Sequence, residues 1–194
     1  SFSRRQRQMC IRDSTKLTGV TSWTKDKTYI IGGKIVVQDG ATLSIEAGTL
    51  IKALPGTGND ATAIVVARGG TINAVGTASA PIVMTDSNDQ ITAKQIASGD
   101  FVSPNRTALD RSKWGGLVIL GKASISDSKT EEAIEGIVAI GSDTWNMYGG
   151  SDDADSSGEI AYISIRHTGT EVAPDSELQG LTLGGVGSGT KVSH

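Results

Sequence analysis

Short apolar runs recur along the whole chain, separated by Gly, Asp, Asn and Ser. The runs are rich in Val, Ile, Thr and Leu, a pattern typical of β-strands with one buried side. The predicted strands are Tyr29–Ile31, Lys34–Val37, Thr42–Ile45, Thr49–Lys52, Ala63–Ala67, Thr71–Ala74, Pro81–Thr85, Gly116–Leu120, Ile134–Val138, Glu159–Arg166 and Leu181–Leu183. Only Asp89–Ser98 is predicted to form a short helix.

The strand-forming segments also repeat. The string IVVQDGATLSIEAGT beginning at Ile35 aligns with IVVARGGTINAVGT beginning at Ile64, an offset of 29 residues. VILGKASI, beginning at Val118, is a third copy. SGEIAY at Ser157 is echoed by SGTKVSH at Ser188. Self-similarity at this spacing indicates an architecture of stacked repeats.

These patterns predict an all-β fold, a right-handed parallel β-helix, in which 15–194 form a single domain. Stacked coils place aliphatic side chains in one internal column, and strands bond to the coils above and below. A β-sandwich also has many short strands, but sandwiches do not usually repeat coil by coil. Because Val192 aligns with Ile160 and the sequence then stops, we expect a solenoid truncated at both ends.

Composition agrees with this fold and excludes several classes of protein. The chain has 25 Gly, 4 Pro and 4% aromatic residues, which disfavours helical bundles. No stretch approaches the roughly 18 apolar residues of a membrane-spanning helix. The net charge is −3, and no basic run with aromatics suggests nucleic-acid binding. Cys10 is the only cysteine, so no internal disulfide can form.

The first fourteen residues, SFSRRQRQMCIRDS, differ from the rest. They are rich in Arg, contain the only cysteine and resemble sequence derived from a sequencing adapter. We therefore expect 1–14 to be a non-native or disordered segment whose removal leaves thermal stability unchanged. The alternative is a native basic arm.

An acidic stretch precedes one predicted strand. Asp153, Asp155 and Ser157 alternate ahead of a glycine, as in the first half of an oxygen-ligand calcium loop, and Glu159 follows. These four residues are the candidate calcium ligands, with Asp143 as a possible further one. The twelfth position lacks the bidentate Glu of such loops, so a solvated acidic turn is the alternative.

Arg166 and His167 end a predicted strand that carries Tyr162 and Ser164 at alternate positions. In a lyase, Arg166 would remove the proton next to a uronate carboxylate, and calcium at Asp153 and Asp155 would acidify that proton. This chemistry requires all of these groups to converge on one groove. The alternative is that Arg166 and His167 bond to a neighbouring acidic loop.

Three aromatic residues on long loops, Trp114, Trp145 and Tyr148, are candidates for a platform on which a sugar stacks. Trp114 lies in a strand-like run, so it is better explained as a core residue. Trp23, near the first coil, is expected to cover the end of the solenoid. The glycine-rich string beginning at Gly184 lacks the Lys-Ser/Thr pair of a phosphate-binding loop.

Several strings together resemble a group of secreted or surface-anchored β-helix proteins common in Bacteroidetes. The strings are GATLSIEAGT at Gly40, IVVARGG at Ile64, WGGLVILG at Trp114, MYGGSDDADSSG at Met147, YISIRH at Tyr162 and GLTLGGVGSGT at Gly180. The resemblance covers about 17–194. It implies the pectate-lyase-like fold, export, and an outer-membrane or cell-surface location, but it implies little about activity.

Three functions remain open from the sequence. The leading hypothesis is a non-enzymatic, exported scaffold, adhesin or glycan-binding module whose partner is a polysaccharide or cell-surface glycan. The alternative is a calcium-dependent polysaccharide lyase or a fragment of one. The third is an inert structural stalk.

Overall fold

Three parallel β-sheets, each of five short strands, form the body of the molecule. The computed structural model describes residues 7–11, 15–139 and 141–194. Sheet A contains β1 (Arg7–Ile11), β4 (Lys27–Ile31), β7 (Leu50–Ala53), β10 (Ile82–Asp86) and β15 (Ile163–Ile165). Sheet B contains β2 (Lys16–Leu17), β5 (Lys34–Val37), β8 (Ala63–Val66), β11 (Leu117–Leu120) and β18 (Leu181–Gly184). Sheet C contains β3 (Val20–Trp23), β6 (Thr42–Ile45), β9 (Thr71–Val75), β14 (Gly158–Ala161) and β19 (Lys191–Ser193).

The chain visits sheets A, B and C in turn, so each coil contributes one strand to each sheet. Every pairing within the three sheets is parallel and joins neighbouring coils. The right-handed parallel β-helix is confirmed, and the β-sandwich is excluded because the described strands of the three sheets pair in parallel between successive coils and not as antiparallel neighbours. Two antiparallel ribbons lie outside the coils: β12 (Glu131–Ala133) with β13 (Met147–Gly149), and β16 (Glu171–Ala173) with β17 (Ser176–Glu177).

The register of the coils follows the sequence repeat. Ile35 pairs with Ile64, and Val65 pairs with Val118, as the aligned strings predict. Ile160 pairs with Val192 in the last two coils. These matches confirm that the repeats are successive turns of one solenoid.

The interior is a column of aliphatic side chains supplied by all three sheets. Ile64 from sheet B, Met84 from sheet A and Ile72 from sheet C are all fully buried within it. Side chains alternate in direction along each strand, so every second residue points into the column. Burial of this continuous apolar surface is the main source of stability for the coils.

Two long insertions leave the fourth coil at different corners. The segment 87–116, between β10 and β11, carries the short helix α1 (Ala93–Ala97). Thr92 caps this helix, because its Oγ1 accepts a hydrogen bond from Gln95 N at 3.2 Å while Gln95 Oε1 accepts one from Thr92 N. The predicted helix within Asp89–Ser98 is therefore confirmed. The second insertion, 121–157, contains the ribbon of β12 and β13.

The insertions bury the outer faces of two sheets. Val83 of sheet A packs outward against Ile91 and Ile96 of the first insertion. Sheet B is covered in the same way, since Val65 joins an outer cluster with residues such as Ile137. The prediction of strands buried on one side only is thus wrong for sheets A and B, where whole strands such as β8 are buried on both faces. A continuous apolar run is the usual mark of such strands.

Sheet C keeps a polar outer face. Ser44 pairs with Asn73, Asn73 with Glu159, and Glu159 with Lys191, so one row of polar side chains crosses the coils. The expected alternation of apolar and polar positions is confirmed on this sheet.

Other predicted elements differ from the structure. The run Ile134–Val138 forms no strand; Ile134 and Ile137 instead cover sheet B from the insertion. The run Glu159–Arg166 divides into β14 and β15, because the chain turns a corner at Tyr162, whose φ is +48°. Residues 7–11 of the basic N-terminal segment form β1 on the edge of β4. The other residues of that segment, 1–6 and 12–14, lie outside the described residues.

Candidate functional site

A groove of about 570 Å³ lies where the chain leaves sheet B in successive coils. Corner residues of the second, third and fourth coils line one side, and the insertion 121–157 lines the other. The principal polar lining residues are Asp39, Arg68, Lys122, Glu131, Thr144 and Asp152, and among the described lining residues Trp145 is the only aromatic one. Because parallel coils stack their corners, residues far apart in sequence reach the same groove.

Arg68 fixes the insertion over the groove. Its Nη1 donates to the carbonyl oxygen of Gly149 at 2.9 Å and lies 2.7 Å from Glu131 Oε1. Glu131 and Gly149 are paired residues of the β12–β13 ribbon, so one guanidinium holds both strands. The hydrogen bond and positive charge of Arg68 lower the pKa of Glu131.

Trp145 lies between this groove and a smaller cavity. The indole packs against the outer cluster on sheet B and is half-buried. It also lines the second cavity, of about 330 Å³, with Lys34, Val36 and Val138. A large aromatic side chain therefore stands between two depressions on the same face of the molecule.

Lys34 lies at the base of the smaller cavity and is almost fully buried. Its Nζ donates to the carbonyl oxygens of Asn59, at 3.2 Å, and Ala61. Burial lowers the pKa of Lys34 to about 8, although the negative charge of Asp60 acts in the opposite direction. These contacts hold the loop that contains the 3-10 helix Gly58–Asp60 against sheet B.

The acidic stretch closes the corner between sheets B and C. Asp153 Oδ1 accepts from Ser124 N at 2.8 Å, and Asp155 Oδ2 accepts from Lys122 N at 2.9 Å. The hydrogen bond from Ser124 N lowers the pKa of Asp153. The alternative of a turn capped by side-chain-to-backbone bonds describes this arrangement.

The other two candidate calcium ligands, Ser157 and Glu159, lie in surroundings different from each other. Ser157 is buried, and its N donates to Thr190 Oγ1 at 2.9 Å. Glu159 lies in the polar row of sheet C. Within residues 7–11, 15–139 and 141–194, no three His, Cys, Asp or Glu side chains are grouped so that they could hold a metal ion. The calcium site stays a prediction.

Arg166 and His167 lie at the corner between sheets A and B, directly after β15. Arg166 Nε donates to Ser164 Oγ at 2.9 Å. His167 Nδ1 lies 3.0 Å from the carbonyl oxygen of Asp110, and its Nε2 lies 3.9 Å from Asp89 Oδ2. His167 thus contacts the insertion 87–116, as the alternative for this pair expected, but the insertion has three Asp against four Lys and Arg and is not acidic.

Lyase chemistry required Arg166 to share a groove with Asp153 and Asp155, and the structure separates them. Arg166 follows a strand of sheet A, whereas the two aspartates close the corner between sheets B and C. Their neighbours differ, because Arg166 lines a cavity formed by the insertion 87–116. The groups that would have to act together are at different corners of the coil.

The three aromatic candidates also separate. Trp114 is fully buried in the column, and its Nε1 donates to the carbonyl oxygen of Arg166 at 2.7 Å. Tyr148 packs on Gly184, where an added Cβ would lie 2.9 Å from the ring. Trp145 alone lies on the groove. Trp23 belongs to the first coil and is buried in the column, stacked on Tyr29 with ring centroids 4.9 Å apart.

Arg68 and Asp39 were not among the residues predicted from the sequence, although the repeat contains a signal for them. Both follow the repeated IVV string at the same step, so the repeat places them at equivalent corners of adjacent coils. In a solenoid, polar residues at the same corner position of successive repeats can therefore indicate the wall of a groove.

Comparisons with known proteins support the fold. A family model described as a pectate-lyase-like beta helix domain matches residues 15–194. No curated protein and no solved structure matches the chain. Among the helices of the described residues, none is long and apolar enough to span a membrane.

Proposed function

Because the chain belongs to the family of pectate-lyase-like beta helix domains, we propose that it is an exported module that binds a polysaccharide or cell-surface glycan without chemically changing it. The observation that carries this proposal is the groove containing Trp145. Since such glycans lie outside the cell, the proposal includes export.

The groove has the two properties that sugar rings require. An indole offers a flat apolar surface for the C–H face of a sugar, and its packing against sheet B holds it in place. Around it, Arg68, Lys122 and Thr144 offer donors to hydroxyl groups, while Asp39 and Asp152 offer acceptors. An open groove lined by residues of several coils suits a chain of sugars.

The charged groups favour binding over acid–base chemistry. Glu131 pairs with Arg68, Asp143 pairs with Lys16, and the Nζ of Lys122 lies 3.7 Å from Asp39 Oδ1. A general acid needs a carboxyl pKa raised towards neutrality. The pKa of Glu131 is instead lowered, so this carboxylate stays ionised and serves to position Arg68 and the ribbon.

Trp145→Ala tests the proposal on an array of neutral and acidic glycans. We expect the wild-type protein to bind at least one glycan class and the variant to bind it about 10-fold more weakly, since aromatic contacts are worth roughly 1.5 kcal/mol. Trp145→Phe keeps an aromatic ring and is expected to retain most of the affinity. Circular dichroism confirms that both variants are folded.

Two results would contradict glycan binding at this groove. One is equal affinity of Trp145→Ala and wild-type protein for the bound glycan. The other is an array without any binding, which would favour an inert stalk. Release of unsaturated products from an acidic polysaccharide would instead support the lyase hypothesis.

A further inference from the structure

A third cavity, also of about 330 Å³ and distinct from the one beside Trp145, opens at the corner between sheets A and B. Its lining includes Ser103, Arg106, Thr107, Asp110, Arg166 and His167, and we call it the Arg166 pocket. None of these residues lines the groove that contains Trp145. The pocket lies between the insertion 87–116 and the segment that follows β15.

Most charged groups around the pocket are satisfied within the fold. Arg106 donates to Asp86 from Nε at 3.0 Å and from Nη2 at 2.7 Å, and its Nη1 lies 3.3 Å from Asp110 Oδ1. This forked pair fixes the insertion to the end of β10.

Asp89 is also fully engaged. Its Oδ1 accepts from Ser103 Oγ at 2.7 Å and from Ile91 N at 2.9 Å, while its Oδ2 accepts from Thr85 Oγ1 at 2.7 Å. Lys52 Nζ donates to the carbonyl oxygen of the same residue at 2.5 Å. The carboxylates thus have their own donors and do not need Arg166.

Arg166 is the exception. It is half-buried, and its Nε bond to Ser164 is the only side-chain hydrogen bond it makes within the described part of the chain. No carboxylate of the described residues lies within ion-pair distance of its guanidinium. Burial lowers the pKa of Arg166, against the opposing effect of the negative charge of Asp89. Arg166 lines the pocket, and its two terminal nitrogens have no hydrogen-bond partner among the described residues.

The backbone around Arg166 is held firmly. Its carbonyl oxygen accepts from Trp114 Nε1, and the next residue, His167, accepts from Lys113 N at 2.9 Å through its own carbonyl oxygen. His167 has a φ of +61° and Ser112 a φ of +59°, conformations that cost free energy in residues other than Gly. Such conformations persist where the surroundings fix them, so the backbone that carries Arg166 is held in place, and the Nε bond to Ser164 restrains the guanidinium.

We propose that the Arg166 pocket binds an oxyanion group of a ligand, a carboxylate or a sulfate, through the two terminal nitrogens of Arg166. A planar guanidinium matches the two oxygens of such a group in a forked pair. A half-buried cation without a partner is costly, and the anion offsets that cost. The proposal is independent of glycan binding at the Trp145 groove.

Nuclear magnetic resonance titrations with glucuronate, glucose 6-sulfate and glucose test this site. We expect one or both anionic sugars to shift the Nε–H signal of Arg166 and the amide of Ser103, and neutral glucose to leave them unchanged. The anion that binds identifies the group. Arg166→Gln is expected to weaken binding at least about 10-fold and Arg166→Lys less, because Lys keeps the charge but not the fork. Arg111→Gln, at an exposed arginine outside the pocket, is the matched control.

A second measurement uses the wild-type protein and so does not depend on a variant that folds. Phenylglyoxal modifies arginine side chains, and saturating glucuronate or glucose 6-sulfate is expected to slow modification of Arg166 but not of Arg111. The proposal is overturned by equal anion affinity in wild type and Arg166→Gln, by equal shifts with glucose, or by no protection from modification. Trp145→Ala leaves this site intact, so its effect on glycan binding is read separately.

Discussion

Replacing Val65 tests whether sheet B is buried on its outer face. In a solenoid with a solvated outer surface, an outward-facing valine would be exposed, and Val65→Ala would change stability by no more than about 0.5 kcal/mol. Here Val65 is fully buried in an outer cluster with Val36 and Val118 of the neighbouring coils, Ile137 of the second insertion and Val172 of β16. The substitution therefore removes buried apolar groups.

The magnitude follows from those groups. Val→Ala deletes two carbon atoms, worth about 0.8 kcal/mol each in transfer free energy, and the residual cavity adds to this. We expect a loss of about 2–3 kcal/mol in the free energy of unfolding, equivalent to a fall in Tm of about 5–10 °C for a chain of this length.

Urea denaturation followed by circular dichroism and by tryptophan fluorescence measures this change. Coincident curves from the two probes establish that the transition is cooperative, which must be checked in a repeat protein. Ser44→Ala, on the polar face of sheet C, is the control and is expected to have little effect. If Val65→Ala were as neutral as Ser44→Ala, the outer face of sheet B would not be buried as the structure shows it.

Two further predictions concern stability. Removing 1–14 is now expected to lower Tm by several degrees, because β1 covers the edge of β4 and Ile11 packs on the column; an unchanged melting curve would restore the view that this segment lies outside the fold. For Asp89, burial raises the carboxyl pKa, but hydrogen bonds from Ser103, Ile91 and Thr85 outweigh it, so the pKa is lowered. A depressed pKa stabilises the fold above the unfolded value of about 3.9, and this contribution is lost as pH falls through the folded value. Wild type should therefore lose more stability than Asp89→Asn between about pH 5 and about pH 2, measured as urea midpoints.

The sequence was sufficient to predict the coils and their register. The strings at Ile35, Ile64 and Val118 align because the same side chain must fill the same level of the column in each coil. Because that constraint acts in every coil, the amino-acid sequence repeats. Helix α1 was also predictable, since its capping residues are local in sequence.

The sites were less predictable, because the sequence does not show which corner a loop leaves from or which sheet it covers. Arg166 and Asp153 lie close in sequence, yet they are at different corners of the coil. Asp153 precedes β14 of sheet C, the chain turns at Tyr162, and Arg166 follows β15 of sheet A. Ile134 and Ile137 have the composition of a strand but serve to cover another sheet. Trp145 could be named as a candidate from its residue type, whereas its groove depends on contacts of Arg68 with Glu131 and Gly149, which are 63 and 81 positions away.

The two insertions of the fourth coil leave the hydrogen bonding of the coils beside them intact, since β10, β11 and β14 pair with the third coil in the register set by the repeat. Loop sequence at these corners can consequently vary in length and chemistry while the scaffold stays constant. Both candidate sites also use residues of the coils, Arg68 in one and Arg166 in the other, so exchanging an insertion would change one wall of a site while the coil keeps the other.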